Sequence, residues 1–133
     1  MAIHLDIVTP ERRLVSLEVD QVRAPGTEGS FGVLPGHTPF LTVMEPGELV
    51  YWAAGREHRY FVGGGFVEVH DDRVTVLAES AERVEDIDVE RAMRTLTEAQ
   101  KRLQALREEE EAFRIERARV RRAAARIALA RKR

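Results

Sequence analysis

The chain contains no cysteine in its 133 residues, which excludes a disulfide framework, a thiolate metal site and a thiol nucleophile. Aromatic residues make up only 6%, too few to line a basic groove of the kind that stacks nucleic-acid bases. Apolar runs extend for only a few residues, far short of the ~20 needed for a membrane-spanning helix. The N-terminus lacks the basic-then-apolar layout of a signal peptide, so a soluble, intracellular protein is expected. The length suits one compact domain with an appendage. Proline is absent after Pro46 and glycine after Gly65, so residues 86–133 are left to Ala, Arg, Glu, Leu and Gln, while the first part is densely punctuated.

In the punctuated part, apolar residues alternate at Ile3/Leu5/Ile7, Leu17/Val19, Val67/Val69 and Val74/Val76, with apolar runs at Phe40 to Met44, Leu49 to Trp52 and Tyr60 to Val62. Turn signals separate them: Pro25-Gly26, Pro35-Gly36, Pro46-Gly47, Ala54-Gly55, Gly63-Gly64-Gly65 and Asp71-Asp72. Short strands at such spacing predict an antiparallel, flattened β-sandwich or barrel of about ten strands over residues 1–85. Residues 86–133 predict a helical domain, giving an α+β chain. Asp86 or Asp88 can cap the first helix, whose stripe is Val89, Ala92, Met93, Leu96, Ala99, Leu103 and Leu106; a second stripe runs Phe113, Val120, Ala124, Ile127. The run Glu108-Glu109-Glu110-Glu111 places no apolar group and repels itself, making it the expected bend. A two-helix hairpin and one extended helix both fit, as a conformational switch would require.

The formal charge of -2 hides a strong asymmetry, since residues 112–133 hold nine basic residues against one acidic. Such a segment needs anionic company, whether nucleic acid, phosphate or acidic protein. Arg119, Arg122 and Arg126 fall on one helical face, as do Asp88 and Arg91 on the first helix; paired antiparallel, they could hold a phosphorylated ligand. The plain alternative is a solvated basic face. His4, His37, His58 and His70 share no metal-binding spacing. Ser16, Ser30 and Ser80 have no evident activating partner, and Gly63–Gly65 precedes a strand pattern rather than the helix a phosphate loop needs. For that run a bulge admitting another backbone is expected.

Four stretches carry a family resemblance: Ile3-His4-Leu5-Asp6-Ile7-Val8-Thr9-Pro10, Gly29-Ser30-Phe31-Gly32-Val33-Leu34-Pro35-Gly36-His37-Thr38-Pro39, Val74-Thr75-Val76-Leu77-Ala78-Glu79 and Ile87-Asp88-Val89-Glu90-Arg91-Ala92. In that order and spacing the chain resembles the epsilon subunit of F-type ATP synthases, of bacterial or plastid type. The resemblance implies a non-catalytic central-stalk subunit that couples c-ring rotation to ATP synthesis through gamma and whose C-terminal helices restrain ATP hydrolysis when they extend. It implies rotor contacts to gamma and the c ring at Ser30, Phe31, Pro35, Gly36, His37 and Thr38. It also implies inhibitory contacts to the alpha and beta subunits at Arg114, Arg119, Arg121 and Arg122. No cofactor is required, but a regulatory ATP at Glu82, Asp88, Arg91, Ala92, Arg122 and Arg126 is implied. Two departures bear on these sites. Glu98 stands where ATP-binding members carry an arginine, and Ser30 stands where many bacterial members carry an acid. The implied home is peripheral, on the cytoplasmic face of a bacterial inner membrane, with the plastid thylakoid as alternative. The competing readings are a nucleic-acid-binding β-barrel with a basic arm, which the net-negative first part opposes, and a hydrolase using His37, which lacks a partner acid.

Overall fold

Alternating Ile3, Leu5 and Ile7 is the pattern of a strand with one face buried. In the computed structural model, which describes residues 2–133, these three side chains lie fully in the core on β1 (Ile3–Val8). There follow β2 (Arg13–Val19), β3 (Gln21–Gly26), β4 (Gly29–Val33), β5 (Phe40–Ala53), β6 (Arg56–His70), β7 (Arg73–Ala78) and β8 (Ala81–Arg83). They form one open sheet in the order β2-β1-β7-β6-β5-β3-β4, with β8 also on β6. Every pairing is antiparallel except the parallel β1 and β7. A second unit begins at Val84 and is described separately below.

Strands β5 and β6, of 14 and 15 residues, are far longer than the others. Their outer halves belong to different layers. The first half of β5 and the second half of β6 join β7, β1 and β2, whereas their remaining halves join β8, β3 and β4. Side chains from both layers meet in one core that includes Ile7, Val19, Val22, Leu49, Val62, Val67 and Val76. The sheet is thus a sandwich made by folding. The expected ten strands become eight because the runs Pro46-Gly47 and Gly63–Gly65 are creases within β5 and β6, not turns between strands. Pro25-Gly26 likewise ends β3 rather than leaving the sheet.

The chemistry of the crease explains this. Pro46 brings no N–H to the ladder and so interrupts it. Gly64 and Gly65 have φ of +102° and +137°, values costly for any residue with a Cβ. A Cβ on Gly65 would lie 2.0 Å from the Leu77 carbonyl oxygen, so the absence of a side chain is what lets β7 approach. At the same level the β7 track breaks at Glu79–Ser80 and resumes as β8, with Ser80 and Gly64 carbonyls accepting from Gly63 and Glu79. Conversely, Ala54-Gly55 and Asp71-Asp72 are true two-residue turns, all four with positive φ, the conformation that matches the strand twist.

Val84–Arg133 is helical. After a 3₁₀ turn at Val84–Asp86, Asp88 caps α1 (Val89–Gln104) by accepting from the Arg91 amide at 3.0 Å. Residues 105–110 form the bend, containing three of the four consecutive glutamates, and the fourth opens α2 (Glu111–Ala130). The helices run antiparallel, since Arg102 meets Glu116 while Met93 and Leu96 lie beside Ile127 and Arg131.

Gly65→Ala is expected to lower unfolding free energy by about 3 kcal/mol or more through strain and displacement of β7. Gly55→Ala, whose Cβ meets nothing, carries only the positive-φ cost of ~1 kcal/mol. Urea unfolding of both variants checks this, and equal losses would show that the crease does not depend on Gly65.

Candidate functional site

The histidine loop is fixed from several sides. Pro35 and Gly36, with Gly36 at φ +82°, turn the chain so that the His37 amide donates to the Leu34 carbonyl at 3.1 Å, as in a type II turn. The Gly36 amide donates to the Asp72 carboxylate at 2.7 Å, tying the loop to the β6–β7 turn. His37 Nδ1 donates to the Thr38 carbonyl at 2.7 Å, and the ring packs 4.9 Å from Phe40. Phe40 in turn meets Phe31 edge-on at 5.5 Å, and both phenylalanines pack against the core. An imidazole spent on its neighbour's carbonyl and on an aromatic contact is a structural brace. Ser30, Phe31, Pro35, Gly36, His37 and Thr38 therefore cluster as one presented loop edge. Segments 26–31 and 37–42 border a cavity of about 560 Å³.

The outward face of the first layer is ordered in cross-strand rows. One row, nearest the crease, is Val8, Leu77, Phe66 and Val43, paired across four neighbouring strands. Phe66, Leu77, Val43 and neighbouring Leu41 are 51%, 52%, 47% and 67% exposed. Isolated exposed apolar residues are ordinary, but a contiguous row of them marks a docking surface. Farther from the crease the face becomes polar. His4 Nδ1 donates to Glu18 at 3.2 Å, while Nε2 lies 3.2 Å from the Ser16 hydroxyl and 3.4 Å from Asp6. Ser16 thus does have partners, ones that cross-strand register supplies and that spacing along the sequence hides. The geometry echoes a Ser-His-acid triad, but the backbone N–H groups of β1 and of the edge strand β2 lie in the plane of the sheet. They leave nothing above Ser16 to stabilise an oxyanion. Arg13 and Arg73, each 3.8 Å from Asp6, complete a surface ion cluster. The Ser16 hydrogen bond, with help from His4 and Arg13, holds the Asp6 carboxyl below its usual value against the opposing effect of burial. The strongest shift elsewhere belongs to a core phenol: burial, with Tyr60 beside it, pushes Tyr51 up to about 12.

In the helical unit, Asp88 is engaged as the cap of α1, and Arg91 and Ala92 occupy its first turn, with Ala92 buried. Arg114 pairs with Glu111 at 2.5 Å, and Arg119 with Glu116 at 2.9 Å. Arg121 is exposed, whereas Arg122 and Arg126 are half-buried rather than fully solvated. Glu82 lies on β8 in the other unit. Three expectations of the helical stripes change. Met93 and Ala124 are exposed, and Glu116, which no apolar pattern could nominate, is buried at 7% exposure. Arg102 Nε donates to its Oε1 at 3.0 Å. That bond chiefly holds the Glu116 carboxyl below its usual value, with Arg119 adding to the effect and burial opposing it.

Residues 2–84 match the family described as ATP synthase, Delta/Epsilon chain, beta-sandwich domain. The chain is 56% identical over 130 residues to the ATP synthase epsilon chain of Anaeromyxobacter sp. (strain K), covering 98% of each. The chain belongs to the ATP synthase epsilon family. The epsilon chain of Myxococcus xanthus is 53% identical over 126 residues, covering 95% of this chain and 93% of its own length. Among solved structures, a chain of the Euglena gracilis mitochondrial ATP synthase (OSCP/F1/c-ring) superposes with a TM-score of 0.79 at 27% identity, over 96% of this chain and 80% of that one. A central stalk/c-ring chain of the Tetrahymena thermophila mitochondrial ATP synthase shares the fold, with a TM-score of 0.65 at 14% identity, over 99% and 96%. Among the described residues no group of acidic residues and histidines could hold a metal ion, and no helix is long and apolar enough to cross a membrane.

Because Asp6 titrates below its unfolded value, its contribution is full above about pH 4 and vanishes as pH falls through the depressed value. Asp6→Asn should therefore lower the melting temperature at pH 7 and reduce the loss between pH 5 and pH 3. Melting curves that shift equally in parent and variant across that interval would contradict this role.

Proposed function

We infer that this chain is the epsilon subunit of the F-type ATP synthase central stalk, a non-catalytic subunit that couples c-ring rotation to ATP synthesis through gamma. The observation that carries the reading is the exposed apolar row Leu77, Phe66 and Val43, continued by half-buried Val8, a face built for a protein partner and not for a substrate. Gamma is its proposed occupant. The braced loop from Ser30 to Thr38 is the proposed c-ring contact, its turn losing little conformational freedom on docking. The subunit is peripheral, held on the cytoplasmic face of a bacterial inner membrane through the complex.

The α1–α2 hairpin is proposed to extend toward the alpha and beta subunits and restrain ATP hydrolysis. Arg114, Arg119, Arg121 and Arg122 would then meet acidic surfaces, an attraction that steers encounter and weakens with salt. A regulatory ATP on the hairpin, held through Asp88, Arg91, Ala92, Arg122 and Arg126, would oppose extension. Glu98, exposed on α1, would repel its phosphates.

Binding to a reconstituted gamma–c-ring subcomplex tests the main reading. Phe66→Glu and Leu77→Glu should each weaken capture about tenfold or more, by placing an unpaired carboxylate in a desolvated interface. His37→Ala should stay folded and weaken capture by a smaller factor. Undiminished capture by the two glutamate variants would remove the apolar row from the interface, and no capture of the parent chain would remove the function. For the regulatory ligand, millimolar ATP should release heat in calorimetry with the parent and not with Arg122→Ala/Arg126→Ala; a flat titration of the parent ends that proposal.

A further inference from the structure

Residues 112–133 contain nine basic side chains and a single acidic one, Glu116. That lone acid is buried, its side chain 9% exposed, and both of its oxygens are engaged. Oε1 accepts from Arg102 of α1 at 3.0 Å and Oε2 from Arg119 at 2.9 Å. Few carboxylates are buried without such pairing. Ala99 and Ala123, one turn before Arg102 and two turns after Glu116, are buried on the same helical faces. Alanines let the helices close while contributing little apolar area. At the other end of the hairpin, one guanidinium nitrogen of Arg133 reaches the carbonyls of Val84, Glu85 and Ile87 at 3.2, 3.4 and 3.0 Å.

We propose that Glu116 is a latch, with Arg133 as a second fastening, that sets the balance between the closed hairpin and an extended helix. The inference rests on the reading that the hairpin can extend, and it names what opposes extension. Only contacts that differ between two states can bias their equilibrium. Arg119 is three residues from Glu116 and keeps its contact wherever α2 stays helical. Arg102 is fourteen residues away, so in one continuous helix the pair would stand roughly 21 Å apart, and it exists only in the hairpin. The Arg133 contacts, 46 to 49 residues distant in sequence, are lost in the same way. Glu116 is buried while Arg102 is about half exposed, so the pair adds little net stability because desolvation of the carboxylate offsets attraction, yet parting from Arg102 leaves that carboxylate with Arg119 alone. Such a latch holds the hairpin without locking it. It also defines the opener, a partner surface rich in carboxylates that replaces Glu116 at Arg102.

The cysteine-free chain takes a spin-label pair at two exposed helix positions, Arg94→Cys and Arg117→Cys, without background. Dipolar distances on the isolated full chain should show one short population. Glu116→Gln should raise the long-distance population about tenfold or more while helical ellipticity and Trp52 fluorescence are kept. Arg133→Ala should add to it, and the exchange Arg102→Glu/Glu116→Arg should restore the short distance. An unchanged distance in Glu116→Gln overturns the latch, as does loss of helicity, which would make Glu116 a requirement for the helix itself. Because no gamma or c ring is present, these outcomes are independent of whether the subunit assembles.

Discussion

One close approach organises the sandwich. The Leu77 carbonyl occupies the space where any Cβ of residue 65 would be. That approach lets β6 carry β7 on one half and β8 on the other, and so pass from one layer to the next without ending. Pro46 opposite Gly63, and the register shift in β3 between Arg23 and Gly26, continue the same line of bends across the neighbouring strands. A fold line shared by consecutive strands turns a single sheet into two facing layers, with one core between them.

The crease also decides what faces outward. Strand alternation is continuous through each half-strand, so every inward valine of β6 and β7 fixes an outward neighbour. The same register that buries Val67 and Val76 presents Phe66 and Leu77 side by side. A soluble sheet would normally place charge there, as this one does farther out with Asp6, His4, Glu18 and Arg73. The change from ions to an apolar row on one face, along β7 from Arg73 to Leu77, separates a solvated zone from the proposed docking zone. On the proposed reading that zone meets a rotor partner, and the register gives it residues.

Much of this was legible in the sequence. Alternation finds β1 and β7, the sequence offers Asp86 or Asp88 as the cap and the glutamate run as the bend of a hairpin that one continuous helix also fits, and the sandwich-then-helices order follows from where proline and glycine stop. The miscount of strands arose because Pro-Gly and Gly-Gly-Gly are locally identical whether they end a strand or crease it. Only the partner strand, here Leu77 against Gly65, distinguishes the two cases. Ser16 looked unaccompanied because His4 and Glu18 reach it through cross-strand register, which spacing along the chain does not encode. Glu116 was invisible for a related reason: in a helix crowded with charge, an acid buried by pairing with an arginine from another helix resembles any solvated one.

The hairpin shows the opposite design from the sandwich. The sandwich is held by many fully buried aliphatic side chains, an attraction without direction that survives small shifts. The hairpin joins its helices through small buried alanines, a few larger side chains such as buried Ile127 and half-buried leucines, and a directional ion pair. Ion pairs of this kind discriminate between arrangements more than they stabilise any one of them. A sandwich with an exposed apolar row, joined in sequence to a pair of helices whose contact is specific but weakly favourable, suits the proposed role, in which the subunit stays attached while its hairpin opens. The charge count sharpens this. In the closed hairpin Glu116 is withdrawn, so the exposed charge of α2 beyond Glu111 is basic; opening parts Glu116 from Arg102 and adds that guanidinium to what an acidic partner can meet.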